Sequence, residues 1–291
     1  MDKEKSLSFS DMDNDKYIYI IAEIGINHNG SMECAKQLID MAVKSGCDAV
    51  KFQKRDLDIV YGEEILSQYR ESPWGSTQRE QKEALEFSVE EYKEIDRYCK
   101  ENCIQWFASS WDEKSQLEMR QFKFPFNKVA SAMSTNKSFV ELVASEGIPT
   151  FVSTGMSEIK DIDWVVNTFK KYDCELMLMH TVSTYPSLEE DLNLKCIQTL
   201  KNKYNLPIGY SGHEVGVSPS IIAASMGAAA IERHITIDRA MYGSDQAASL
   251  ELAGLRQLCD TLRKIPTILG SPIKKINQAE MEIADKLRYW T

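Results

Sequence analysis

The stretch YIYIIAEIGINHNGSMECAKQLIDMAVKSGCDAVKFQ, residues 17–53, decides the fold. It opens with a β-branched and aromatic run, YIYIIAEIG (17–25), passes through a segment of helical period, and closes on a second apolar run, AVKFQ (49–53). In the middle segment Leu38, Met41, Ala42 and Val43 cluster on one helical face and Gly46 supplies the stop. Working outward, the alternation recurs in QWFASS (105–110), NKVAS (127–131), PTFVSTG (149–155), ELMLMHTV (175–182), PIGYSG (207–212) and AAIERHIT (229–236), with helical stretches between nearly all of them. Eight strands, each followed by a helix or long loop, match the roughly 250 residues typical of a (β/α)8 TIM barrel. A doubly wound open sheet is the runner-up, but no G-x-G-x-x-G follows the first strand. The barrel is expected over residues 17–291, after a polar, acidic arm at 1–16 expected to be flexible. The long polar stretch 54–87 reads as an active-site loop with some helix, and Ser88 with Glu91 reads as a capping box opening the next helix.

Composition narrows the partners. The 291 residues carry a net charge of -10, which argues against nucleic acid because phosphate backbones need basic faces. Any anionic ligand must then be held locally. Seven cysteines, odd in number and without a C-x-x-C pair, indicate a reduced, cytoplasmic chain, with Cys99 and Cys103 read as ordinary core thiols. No apolar run approaches a membrane span.

In a barrel of this type the chemistry sits at the carboxyl ends of the strands. The four histidines, His28, His180, His213 and His234, all fall at or just past such ends, which suggests a shared site. His213 and His234 come from neighbouring strands and would ligate one divalent cation, the alternative being one core and one loop histidine. Asp245 is a candidate carboxylate ligand or base, or else an acid at the start of a helix. Lys51 and Lys128, with Ser131, Ser153 and Ser211, resemble a distributed anion site. Lys51 and Glu23 lie inside apolar strands, where burial is costly unless they are paired, so a Glu23–Lys51 salt bridge is the structural alternative.

The segments IAEIGINHNG, VKFQ, FVSTGM, HTVSTYP, GYSGHE and IERHIT, in that order and at these intervals, resemble the sialic acid synthase family over about residues 17–275. Its enzymes condense phosphoenolpyruvate with an N-acylated aminohexose. The resemblance implies a (β/α)8 barrel, a divalent cation such as Mn2+ or Mg2+, release of inorganic phosphate, and a homodimer. It makes His213 and His234 the metal ligands. It has Lys51, Ser110, Lys128, Ser131, Ser153, Ser183 and Ser211 hold phosphoenolpyruvate, and Gln53, Tyr185 and Asp245 meet the sugar. Glu23 would place water or move a proton near the reacting carbons. Ser183 stands where the family commonly has asparagine, and the sequence ends without the small antifreeze-like domain that usually follows the barrel and lends an arginine to the neighbouring sugar site. Residues 54–87, with Tyr69, Arg70, Trp74 and Arg79, are the expected substitute cover. A metal-dependent sugar aldolase or isomerase, or a non-catalytic sugar-binding barrel, are the competing readings. Acceptors compatible with the family pattern are N-acetylmannosamine, its 6-phosphate and diacylated dideoxy sugars.

Overall fold

The computed structural model describes residues 8–12 and 17–290. Eight parallel strands close a barrel: β1 (Tyr19–Gly25), β2 (Ala49–Lys54), β3 (Gln105–Ser110), β4 (Asn127–Val129), β5 (Thr150–Ser153), β6 (Leu176–Thr181), β7 (Ile208–Gly212) and β8 (Ala230–His234). Each strand pairs with its neighbours in sequence, and β1 closes the ring against β8, with Tyr19 opposite Ala230 and Glu23 opposite His234. The expected (β/α)8 barrel is therefore present, strand for strand.

Local chemistry sets the element ends. Ser31 caps helix Met32–Ser45 by accepting from the Cys34 amide, and Gly46 terminates it at φ 82°, a left-handed conformation that glycine adopts without a Cβ penalty. Ser88 and Glu91 form the expected reciprocal capping box at the start of helix Val89–Glu101. Cys99 is buried on that helix, whereas Cys103 lies past its end and is exposed, so the pair does not share one core face.

Side chains alternate across each strand. Tyr19 and Ile21 of β1, with Phe107, Phe126, Phe151, Met177 and Met179, fill the lower barrel interior, while Ile20, Val50, Trp106 and Leu178 face the surrounding helices. Part of the expected flexible arm departs from that expectation. Phe9–Met12 forms a short helix with Phe9 and Met12 buried, and the Phe9 ring lies 5.4 Å from Phe126 and 4.7 Å from Phe151. Two apolar side chains one turn apart close the barrel floor, each contributing about 1.5–3 kcal/mol by burial. The rest of the arm, 1–7 and 13–16, lies outside the described residues.

At the opposite end, residues 54–87 are more regular than a loop. They form short helices Leu57–Val60, Glu63–Leu66 and Gln78–Glu83 around an antiparallel hairpin, Tyr69–Ser72 with Gly75–Thr77. The hairpin docks on the loop after β8. Arg70 Nε donates to the Tyr242 hydroxyl at 3.3 Å, that hydroxyl donates to the Glu71 carbonyl at 3.2 Å, and the Trp74 and Tyr242 rings stand 5.6 Å apart edge to face. Among the described residues no helix is long and apolar enough to cross a membrane.

Candidate active site

The same alternation that fills the floor places polar side chains inside the upper barrel. Glu23, Lys51 with Gln53, Ser109, Lys128, Ser153, Thr181, Ser211 with His213, and Glu232 with His234 line one cavity of about 150 Å³. Ser131, Ser183, Tyr185 and Trp111, on the loops just above, complete it.

Its floor is a buried ion network. Lys51 Nζ stands 2.9 Å from Glu232 Oε1 and 3.3 Å from Glu23 Oε2, and Lys128 Nζ stands 3.5 Å from Glu232 and donates to Ser153 Oγ at 2.6 Å. Two ammonium groups thus converge on Glu232 and only one on Glu23. Glu232 is held well below the usual carboxylate range, because Lys128 and Lys51 outweigh the opposing cost of burial. Burial dominates at Glu23 and, helped by the charge of Glu232, raises it to about 7 despite Lys51. The two carboxyls are pushed apart: Glu232 stays ionised as the counterion, and Glu23 is left able to gain or lose a proton near neutrality. The Glu23–Lys51 salt bridge is therefore itself part of the cavity lining. Lys128 is lowered to about 8, first by burial and then, against Glu232, by Lys51.

His213 and His234 stand side by side at the ends of neighbouring strands β7 and β8, ring centroids 5.4 Å apart. His213 Nδ1 lies 2.7 Å from the Val182 carbonyl, which only accepts, so Nδ1 carries the proton and Nε2 keeps its lone pair. Burial lowers His213 to about 4 and His234 to about 3, keeping both neutral and able to bind a cation. Nδ1 of His234 is buried without a hydrogen-bond partner, 3.8 Å from Asp245 Oδ2. No group of three or more His, Cys, Asp or Glu converges as a ready metal cage among the described residues. Two neutral imidazoles, one with its tautomer set by a backbone carbonyl, suit a divalent ion that takes its remaining ligands from substrate and water.

Above the lysines, hydroxyls converge. A Cβ on Gly155 would lie 2.2 Å from Ser183 Oγ and 2.7 Å from Ser131 Oγ, so glycine is what lets the two serines approach. Buried side-chain atoms of Ser109, Ser183, Glu232 and His234 have no hydrogen-bond partner, and all four residues line this cavity. Orphaned polar atoms gathered in one place mark a site built for a polar ligand.

Two expectations need correction, one for Ser110 and one for His28 and His180. Ser110 is fully buried but does not line the cavity; the strand's period of two puts Ser109 there instead. His28 and His180 do not join His213 and His234. His28 stacks on Phe87 at 4.0 Å and accepts from the Gly30 amide, while His180, on the outer face of β6, donates to the Leu192 carbonyl at 2.7 Å. Asp245 lines an adjoining cavity, with Gln53, Trp111 and Tyr185 shared between the two or bordering both. It precedes the short turn Gln246–Ala248 but makes no side-chain cap there.

Two residues were given no role by the sequence reading. Glu232 was visible two positions before His234, on the same strand face. Arg233, between them, points outward and is fully buried: it donates to Glu214 Oε1 at 2.8 Å, to the Gly216 carbonyl at 2.7 Å and to the Glu214 carbonyl. Glu214 also accepts from Tyr210 and Ser220, so this cluster pins the loop that carries His213.

The NeuB family model matches residues 38–274. The chain belongs to the NeuB family. Human N-acetylneuraminate-9-phosphate synthase is 38% identical over 272 residues, covering 92% of this chain and 76% of its own length. The N,N'-diacetyllegionaminic acid synthase of Legionella pneumophila is 34% identical over 283 residues, covering 93% and 78%. Among solved structures, the N-acetylneuraminic acid synthetase of Leptospira borgpetersenii, in complex with citrate, superposes with a TM-score of 0.83 at 31% identity, covering 94% of each chain. A truncated 3-deoxy-D-arabino-heptulosonate 7-phosphate synthase from Thermotoga maritima, at 12% identity and a TM-score of 0.67, shares the fold. Within this NeuB chain, the matched segment includes every cavity-lining residue except Glu23.

Proposed function

We propose that this chain condenses phosphoenolpyruvate with the open-chain aldehyde of an N-acylated aminohexose, forming a nonulosonic, sialic-type acid and inorganic phosphate. One observation carries the reading: a single cavity joins a lysine pair suited to a phosphorylated carboxylate with a neutral histidine pair suited to a cation. An aldolase or isomerase needs only the second.

In this reading Lys51 and Lys128 neutralise phosphoenolpyruvate while Ser131, Ser153, Ser183 and Ser211 donate to its oxygens. His213 and His234 hold the divalent cation, Mn2+ or Mg2+, which when bound supplies Lewis acidity toward the sugar aldehyde. Gln53 and Tyr185 orient the sugar, and Asp245 meets it from the adjoining cavity. The methylene carbon of phosphoenolpyruvate forms the new bond to the aldehyde carbon, whose oxygen gains a proton. Water then adds to carbon 2, and Glu23 takes the proton it gives up. The resulting tetrahedral carbon releases phosphate and becomes the ketone of the product. Free thiols throughout support a cytoplasmic setting, and exposed apolar side chains late in the chain, among them Ile273, Ile283 and Trp290, support a homodimer.

The test is phosphate release from phosphoenolpyruvate against a panel of N-acylated hexosamines with added divalent cation. Acceptor-dependent release is expected; release independent of any sugar, or none with the whole panel, would overturn the reading.

A further inference from the structure

Cys47 and Cys259 are 212 positions apart in sequence, yet their Sγ atoms stand 3.6 Å from each other. Cys47 follows Gly46, which ends helix Met32–Ser45, and leads into β2; Cys259 sits midway along the helix Leu252–Leu269 that follows β8. These two helices pack together across the seam where β1 meets both β2 and β8. One side chain fixes the approach of the thiols. Arg263, one turn beyond Cys259 on the same helix face, donates through Nη2 to the Gly46 carbonyl and to Asp48 Oδ2, both at 2.8 Å. It therefore grips the residues on either side of Cys47, and through Nη1 on the Ile18 carbonyl it ties them to the start of β1. Both cysteines are free thiols and they differ in access: Cys47 is half-buried, Cys259 buried. Neither lines the catalytic cavity. A bond between them needs the sulfurs to close from 3.6 Å to about 2.05 Å, within reach of rotating two cysteine side chains.

We propose that Cys47 and Cys259 are an oxidative modification site, forming a reversible disulfide under peroxide that staples the first barrel helix to the last. The inference stands apart from the condensation reading. The Cys47 thiolate attacks one oxygen of hydrogen peroxide, the O–O bond breaks, Cys47 becomes a sulfenic acid, and the departing hydroxide takes up the thiol's proton as water. The Cys259 sulfur then attacks the sulfenic sulfur. The S–S bond forms, the S–O bond breaks, and a second water leaves with the Cys259 proton. Two thiols are oxidised and one peroxide is reduced to two waters, and an added dithiol reverses the bond by exchange. The Cys47 thiol is raised well above its ordinary value, first by its contact with Cys259 and then by burial, so little thiolate stands ready at neutral pH. The pair therefore stays reduced against trace oxidant and closes under sustained exposure. A cross-link spanning 212 positions removes much of the unfolded chain's freedom, so the oxidised form should resist unfolding.

The experiment exposes the full chain to excess hydrogen peroxide, blocks the remaining thiols in denaturant, and maps the cysteine peptides by mass spectrometry beside a melting curve. The Cys47 and Cys259 peptides are expected as a linked pair two hydrogens lighter than their sum. The melting temperature should rise by at least about 5 °C, and dithiothreitol should undo both changes. Cys47→Ser should show neither change, while Cys103→Ser, which removes the exposed thiol, should show both in full. The wild-type map needs no variant to fold. Cys47 carried on to sulfinic or sulfonic acid with Cys259 still open to blocking would overturn the proposal, as would both thiols remaining open. A linked pair with an unchanged or lowered melting temperature would overturn the staple.

Discussion

Replacing Lys51 by methionine separates the two jobs that the structure gives it. The ammonium is buried, 2.9 Å from Glu232 and 3.3 Å from Glu23. Its removal leaves Glu232 with Lys128 at 3.5 Å and leaves Glu23 with no cation within salt-bridge distance among the described residues. Breaking a buried pair typically costs about 3–5 kcal/mol. Here the lower end applies, because Glu23, already raised to about 7, takes up a proton more cheaply than an ordinary carboxyl. The expected loss of stability is therefore about 3 kcal/mol. Phosphoenolpyruvate loses one charge-assisted contact, roughly 1.5–3 kcal/mol, or ten- to a hundredfold in affinity. With one lysine facing two carboxyls the upper end is expected. Calorimetric titration of phosphoenolpyruvate into wild type, Lys51→Met, Glu23→Gln and the double variant gives the affinity term and denaturant unfolding of the same four proteins gives the stability term; the double variant should recover part of the stability but little of the affinity. A folded Lys51→Met protein that binds phosphoenolpyruvate within twofold of wild type would refute the reasoning and leave Lys51 a structural ion-pair partner.

Other outcomes follow from the same geometry. Arg233→Met leaves Glu214 charged, buried and without its cation, so unfolding should be easier by about 3–5 kcal/mol; a melting temperature unchanged within a degree or two would contradict the role given to that pair. Phe9→Ala opens a hole in the barrel floor and should cost about 3–5 kcal/mol by denaturant unfolding, with a null effect showing that the floor closes without it. Lys128, lowered to about 8, binds phosphoenolpyruvate only as the cation, so affinity should be greatest below pH 8 and fall as pH rises through it, by up to about tenfold per unit; a flat profile from pH 7 to 9 would remove Lys128 from the anion site. His213→Ala or His234→Ala should abolish metal-dependent turnover in a folded protein, and full phosphate release by either after chelator treatment would sink the metal assignment.

The barrel was legible because strand runs and helical segments alternate strictly from Tyr19 onward, and because costly charges inside apolar runs announce themselves. Glu23 and Lys51 stood out on that ground, His213 and His234 by falling at strand ends, and all four line one cavity. What failed was phase. Ser109 and Ser110 are adjacent and chemically alike, and only the paired strand, with Ser109 opposite Lys128, says which faces inward. His180 was misgrouped for the same reason, since proximity to a strand end carries no information about its face. The burial of Phe9 depends on contacts with Phe126 and Phe151, more than a hundred residues away. Arg70 was read as part of the cover, while Arg55 and Lys82 looked like ordinary charges in a polar stretch; folding of the hairpin is what gathers the three around one cavity.

The central claim is a condensation in which water, with its proton passing to Glu23, attacks carbon 2 of phosphoenolpyruvate. Oxygen-18 in the bridge between that carbon and phosphorus reports it directly. Turnover should deliver the label into inorganic phosphate, alongside a product heavier than the acceptor by one pyruvic acid. Phosphate free of label, showing cleavage at phosphorus, would contradict the account.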